Sequence, residues 1–393
     1  MKLSGQILAK IDPEIIKQLC EIAPLVARKD SSLWPLEQES INRLGWIDLP
    51  TKSRTLLPEL DALSAWTRSN GLTEIVLCGM GGSSLAPEVI ASTYKKSLTI
   101  LDSTDPVQVN NSVPSDLNKA VIVVSSKSGT TIETLSQYEF YVSKFKQANL
   151  NPTEHIVIVT DPGTSLDVIA RNEGYKVVNA DPNVGGRFSA LSAFGLVPAA
   201  LIGVDISLLL DDAEKLSPSL SVMDSPAIKI AASLFSLSDQ VINFCDNNSP
   251  TPGLSNWIEQ LIAESTGKNS NGRLPVVIEE STESFSGITV GFTPGSYDLT
   301  IEATLGEQFL LWEWVTALLC FLLRVNPFNQ PNVAEAKDRT STILSSLLNN
   351  GIDTPTPTYE DNDYLIFSSQ EISNLSEFLK SKVSYFAILA YLD

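Results

Sequence analysis

Apolar residues along this chain fall into two alternating rhythms. Short, almost uniformly apolar runs stand at Glu74–Cys78, Leu98–Asp102, Ala120–Ser125, His155–Thr160 and Tyr175–Asn179. Between them the spacing turns helical, over Pro87–Lys95, Thr131–Ala148 and Ser165–Asn172. Strands apolar on both faces, separated by helices, predict a parallel sheet covered on both sides. After a mainly helical stretch, Ala190–Leu237, the rhythm resumes with runs at Gln240–Phe244, Leu274–Ile278, Ile288–Phe292, Tyr364–Phe367 and Tyr385–Tyr391. A second α/β unit is expected there, with a boundary near residue 205. The first 70 residues read mostly as helix, and Asp12–Pro13 supplies a cap and first turn for Glu14–Ala23. The most apolar helical run, Leu310–Val325, contains Glu313 and falls short of a membrane span, so it is expected as a buried helix. The division expected is thus a helical segment over 1–70, one α/β domain over 71–205 and another over 206–393.

Composition narrows the chemistry. With 43% apolar and 19% charged residues among 393, the chain is of globular type with room for sizeable cores. Its net charge of −19 excludes nucleic acid as an expected partner, because phosphate neutralisation needs a basic face. Any anionic ligand must be held by local amides and a few cations. The four cysteines are far apart and form no CxxC or zinc spacing, as expected of reduced thiols in a cytoplasmic protein. The start, MKLSGQILAKIDPEIIKQ, lacks an uninterrupted apolar core, so no signal peptide is expected. With His155 the single histidine, a histidine-rich metal centre is ruled out, and neither metal nor cofactor is expected. His155 opens the run HIVIVTD and is expected to be structural.

Two glycine- and hydroxyl-rich turns follow predicted strands. The first, CGMGGSSLAP at 78–87, has Asp102 beyond it, near where a dinucleotide fold keeps its ribose-binding acid. The second, SSKSGTTIET at 125–134, carries the hydroxyls of Ser126, Ser128, Thr130 and Thr131. Gly129 lets the backbone turn, and Glu133 stands three after Thr130, the spacing of a capping box. A helix N-terminus with such donors suits a phosphomonoester dianion. The dinucleotide fingerprint wants glycine where Ser84 stands, and SKSGTT adds nothing to a nicotinamide site. A small phosphorylated substrate uses both turns, leaving a dehydrogenase as the runner-up.

SSKSGTTIET resembles the phosphosugar loop of sugar isomerase (SIS) domains, and GMGGSSLAP resembles their first turn. Three further stretches are narrower: VGGRFSALSAFGLVP at 184–198, EQLIAESTGK at 259–268 and NPFNQPNVAEAK at 326–337. In this order they resemble the glucose-6-phosphate isomerase family, most nearly the isomerase half of fused transaldolase/glucose-6-phosphate isomerases. The resemblance implies two SIS-type, flavodoxin-like three-layer αβα units with parallel sheets, preceded by N-terminal helices. It implies an aldose–ketose isomerase that interconverts D-glucose 6-phosphate and D-fructose 6-phosphate through an enediolate, in glycolysis and gluconeogenesis. Motif by motif, Glu264 matches the catalytic base, Arg187 the cation that stabilises the intermediate, and Lys337 the lysine near the ring oxygen. Gln260 matches a residue bordering the substrate, while Gly82, Ser83, Ser126, Lys127, Ser128 and Thr131 match the phosphate-binding positions. Ser128–Gly129 stand where many members have Thr followed by Phe.

The histidine that the family usually employs for ring opening has no counterpart, since His155 lies on the wrong motif. Open-chain sugar, Lys337 or an acid such as Glu307 are the alternatives. Two other readings stay open: a non-catalytic sugar-phosphate-binding protein that kept the SIS fold, and an isomerase that also accepts mannose 6-phosphate. A cytoplasmic homodimer without membrane contact is expected. The chain stops at ILAYLD, just after a predicted strand, where the fused relatives continue, so a shortened C-terminus and no transaldolase activity are expected.

Overall fold

A computed structural model describes residues 1–34, 43–237, 240–268, 271–278, 286–329, 331–350, 356–360, 365–368, 376 and 380, with the backbone alone at 331–337 and 348–350. In chain order the strands are β1 (Lys2–Ser4), β2 (Glu74–Gly79), β3 (Thr99–Leu101), β4 (Ala120–Ser125), β5 (Ile156–Thr160) and β6 (Lys176–Asn179). They continue with β7 (Val241–Cys245), β8 (Leu274–Val277), β9 (Ile288–Gly291), β10 (Leu299–Glu302), β11 (Tyr359–Glu360) and β12 (Leu365–Ile366).

The first sheet has the order β3-β2-β4-β5-β6, with every pairing parallel. Every residue of β4 and β5 is buried, which is why these strands read as unbroken apolar runs. This is the flavodoxin-type order, in which ligands bind outside the carboxyl ends of the strands where the order reverses. Here that point lies between β2 and β4. Gly79 at the end of β2 pairs with Ser125 at the end of β4, so the two hydroxyl-rich turns leave the sheet side by side.

The second sheet has the order β1-β10-β9-β7-β8. Its strands β7 to β10 are parallel and wound as in the first sheet. β1 adds antiparallel at the edge, pairing Lys2 with Glu302. Neither β1 nor β10 was expected. β1 spans three residues with only Leu3 half-buried, and β10 spans four, too short for a periodic signal. The expected helix at the N-terminus is present as Pro13–Ala27, with Asp12 capping the Glu14 amide.

Both sheets belong to one compact unit, Met1–Asn329; a second unit runs from Gln330 to Asp393. The second unit contains the helix Pro331–Asn350 and an antiparallel ribbon of β11 and β12. Of the run expected as a strand at Tyr364–Phe367, Leu365–Ile366 is part of this ribbon, while Tyr364 and Tyr385–Tyr391 lie outside the described residues.

Helix Leu305–Leu323 is long and apolar enough to cross a membrane, but 94% of its apolar window is buried inside the fold, as in a core helix. Thr304 and Glu307 form the capping box that starts it. The capping box expected at Thr130 and Glu133 is not formed. Helix Ile132–Gln147 begins one residue later than that pattern requires, with Thr131 as N-cap and no side-chain bond to its first amides. All four cysteines are unpaired, and three of them are buried. His155 is buried, with Nδ1 2.9 Å from the Ala120 carbonyl and its ring stacked on Phe145 at 4.7 Å.

Candidate active site

Arg187 sits in a single turn, Gly186–Phe188, that follows Gly185. Phe188 anchors the turn against Trp46 and Phe328, with ring centroids 5.3 and 5.4 Å away. The guanidinium is buried and almost fully engaged. Nε donates to the Ser265 hydroxyl at 2.8 Å, and Nη2 donates to the carbonyls of Pro327 at 2.7 Å and Asn329 at 3.0 Å. Nη1 donates to Glu264 Oε2 at 2.9 Å. An arginine has five N–H donors, so one N–H of Nη1 is left without an acceptor among the described residues. Burial pulls the Arg187 pKa below its usual value, and Glu264 pulls it back up.

Glu264 and Ser265 lie in the last turn of helix Leu254–Thr266. One turn earlier, Gln260 Nε2 donates to Glu264 Oε1 at 2.8 Å, so both carboxylate oxygens are oriented. The carboxylate side chain keeps 35% of its surface exposed while its arginine partner keeps 2%. A fixed, accessible carboxylate beside a desolvated cation can move a proton and stabilise the charge that results.

The first glycine turn packs directly on this pair. Gly81 has φ +55°, and a Cβ there would lie 2.5 Å from Gln260 Nε2. A Cβ on Gly82 would lie 2.4 Å from the Gly186 carbonyl oxygen. Ser83 is buried and adjoins Gly79, whose other neighbour is Ser125 at the start of the second turn. In the second turn, Ser126 is buried and its hydroxyl donates to Thr131 Oγ1 at 3.2 Å. Ser128 is exposed, and its hydroxyl accepts from the Thr130 amide at 3.2 Å and hydroxyl at 2.9 Å. Gly129 takes φ +66°, with Thr164 and Leu166 closing the space a side chain would need. Behind the turn stands the uncapped N-terminus of helix Ile132–Gln147, whose first amides have no side-chain acceptor.

The profile of the phosphoglucose isomerase family matches residues 51–246, which include both turns and Arg187. Over those residues, just under half of the chain, the sequence is similar to the phosphoglucose isomerase family. It is 29% identical over 266 residues to a probable glucose-6-phosphate isomerase of Methanococcus maripaludis, covering 64% of this chain and 59% of the relative. It is 32% identical over 261 residues to one of Haloarcula marismortui, covering 63% of this chain and 56% of the relative. The chain therefore spans less than three fifths of either relative. A hypothetical protein of Thermus thermophilus has the same fold, with a TM-score of 0.73 at 24% identity, over 88% of this chain and 99% of that one.

Other residues singled out from the sequence stand differently. Lys127, matched to a phosphate ligand, pairs its ammonium with Asp161 at 2.5 Å and reaches the Asp181 carbonyl at 3.4 Å. Burial lowers the Lys127 pKa and raises that of Asp161, each against the pull of the pair. Glu307 is engaged at its own helix start: its carboxylate accepts from the Thr304 amide at 3.0 Å and lies 3.5 Å from the Met1 ammonium. Lys337 falls in helix Pro331–Asn350, and its side chain lies outside the described residues. Among the described residues no group of three or more His, Cys, Asp or Glu could hold a metal.

Sequence reasoning missed the supports of Arg187. Ser265 and the carbonyls of Pro327 and Asn329 fix its guanidinium, and buried Lys268 donates to the Asn326 carbonyl in the same stretch. Lys268 closes the motif ESTGK, but nothing in its spelling says that the lysine is buried.

Proposed function

We propose that this chain interconverts D-glucose 6-phosphate and D-fructose 6-phosphate by proton transfer between C1 and C2. The observation that carries this reading is the 2.9 Å contact of Arg187 with Glu264, set beside two phosphate-suited turns at one sheet crevice. Ser83, the Ser126–Thr131 turn and the uncapped helix amides hold the phosphate, with Lys127 adding charge behind the turn. Glu264 takes the C2 proton of the open-chain aldose and returns it to C1 while the C2 hydroxyl proton passes to the C1 oxygen, so no external acid or oxidant is needed. The remaining Nη1 N–H of Arg187 stabilises the enediolate oxygen as charge develops. Gly82 brings the backbone close to the arginine turn, and Gln260 keeps Glu264 aimed. By the NPFNQPNVAEAK resemblance, Lys337 matches the family lysine that assists ring opening.

The same reading divides the chain into a helical segment, 1–70, and two SIS-type domains, 71–205 and 206–393. It makes the working enzyme a cytoplasmic homodimer, as the family resemblance implies.

The test is a coupled assay that follows glucose 6-phosphate formed from fructose 6-phosphate. The wild-type protein turns over, and Glu264→Gln loses about 10²- to 10⁴-fold in kcat, the usual worth of a general base, at an unchanged melting temperature. Wild type and variant giving the same rate, or none, would sink the proposal.

A further inference from the structure

Three cations around the crevice have carboxylate partners: Arg187 with Glu264, Lys127 with Asp161 and Lys52 with Asp181. A fourth, Arg43, makes no ion pair or hydrogen bond among the described residues, although it is half-buried. Its place is set by backbone pairing. Leu44 forms an antiparallel bridge with Val184, and the Gly45 amide donates to the Asn183 carbonyl at 2.9 Å. Leu44 and Gly45 are buried, so this segment is docked rather than draped. In an antiparallel register, Arg43 then stands opposite Gly185, two residues before Arg187. From there its charge acts on Lys127, Asp161 and Arg187 together. The bridge beside Val184 thus holds Arg43 within electrostatic range of both the second phosphate turn and the arginine of the candidate site.

This arrangement is costly without a ligand. A half-buried guanidinium has lost part of its hydration, and it stands within range of two other cations against the one carboxylate of Asp161, which Lys127 already pairs. The chain carries 46 Asp and Glu against 27 Lys and Arg, yet none of the described carboxylates reaches Arg43. We infer that Arg43 is a further anion-binding residue of the site, which grips the phosphate group of the sugar phosphate. The turn at 126–131 offers hydroxyls and amides, which are neutral donors, while the Lys127 charge is shared with Asp161. A phosphate dianion needs formal positive charge as well, and a guanidinium supplies it with two parallel N–H donors. The identity of the sugar rests on the function proposed above; the phosphate chemistry does not.

The experiment compares wild type, Arg43→Met and Arg43→Lys in two measurements. Calorimetric titration with inorganic phosphate reads the anion site directly, and steady-state kinetics with fructose 6-phosphate separates KM from kcat. Arg43→Met weakens phosphate binding and raises KM about tenfold or more, the scale of one lost charge-assisted contact, with kcat within about twofold and an unchanged melting temperature. Arg43→Lys retains part of the affinity, and it decides the matter alone if Arg43→Met does not fold. Unchanged phosphate affinity and KM would overturn the inference. So would a fall in kcat at constant KM, which places the guanidinium on the reacting carbons. If the wild-type protein does not isomerise at all, the proposed function falls while the phosphate titration still decides Arg43.

Discussion

Gly82→Ala tests whether the first glycine turn serves the arginine as well as the phosphate. The backbone at Gly82 is not in the left-handed region, so alanine brings no conformational strain of its own. The cost is steric. A Cβ would stand 2.4 Å from the Gly186 oxygen, 2.6 Å from the Gly186 carbonyl carbon and 3.0 Å from the Arg187 nitrogen. Every one of those atoms is backbone, so no flexible side-chain end can swing away. Reaching even the 3.0 Å floor for real Cβ contacts requires one turn to move by at least about 0.6 Å. The arginine cannot follow freely, because Ser265, Pro327 and Asn329 hold its guanidinium.

A misplacement approaching 1 Å costs a catalytic group about 10²-fold, so kcat/KM is expected to fall about 10- to 100-fold. That corresponds to about 1.4–2.7 kcal/mol in the barrier. Overpacking also lowers stability by about 1–3 kcal/mol, read from urea denaturation. Gly185→Ala is the control: its Cβ would meet only Phe188 Cδ2, at 3.9 Å, with an ordinary φ of −69°. It is expected to stay within about 0.5 kcal/mol of wild type, as substitutions away from such features do. Equal kcat/KM for Gly82→Ala and Gly185→Ala would refute the claim that this turn positions Arg187.

Arg187→Met removes a buried cation together with its bonds to Glu264 and to the carbonyls of Pro327 and Asn329, leaving Glu264 with Gln260 as its donor. Isomerisation is expected to disappear and unfolding stability to drop by about 1–3 kcal/mol, the cost of buried acceptors left unpaired, checked by urea melts; a stable variant with residual turnover would contradict the assigned role. Glu313 is fully buried, neither of its oxygens has a hydrogen-bond partner, and burial raises its pKa well above the usual carboxylate range. Its folded pKa exceeds its unfolded one, so between the two the folded chain binds more protons, and the wild type loses stability as pH rises above about 4.5. Glu313→Gln cannot ionise and should gain on wild type by up to about 1.4 kcal/mol per pH unit across that window; parallel stability-versus-pH curves from pH 5 to 8 would refute it.

How much of this could be read from the chain depends on the kind of signal each feature leaves. β4 and β5 were legible because a strand buried on both faces is apolar at nearly every position. β1 left no such mark: three residues at a sheet edge, with one of them half-buried, carry no periodicity to detect. The turn at 125–134 is legible from its hydroxyls and Gly129 after a buried strand, while the capping box read beside them does not form. Thr130 and Glu133 have capping-box spacing, yet the helix starts at Ile132 and its amides remain uncapped. The failure strengthens the functional reading, since amides satisfied by their own side chains would have little left for a phosphate. Gly82 was assigned by resemblance to the phosphate, and its tightest neighbour is the carbonyl of Gly186. The pairing of Arg187 with Glu264 crosses 77 positions, and only matched motifs put the two on one page. What holds Arg187 in place was beyond reach for a further reason: a backbone carbonyl has no letter of its own. Pro327 and Asn329 act on the guanidinium through oxygens that any residue would carry. The identities in NPFN can shape that loop, but only the fold shows that its carbonyls are aimed at an arginine.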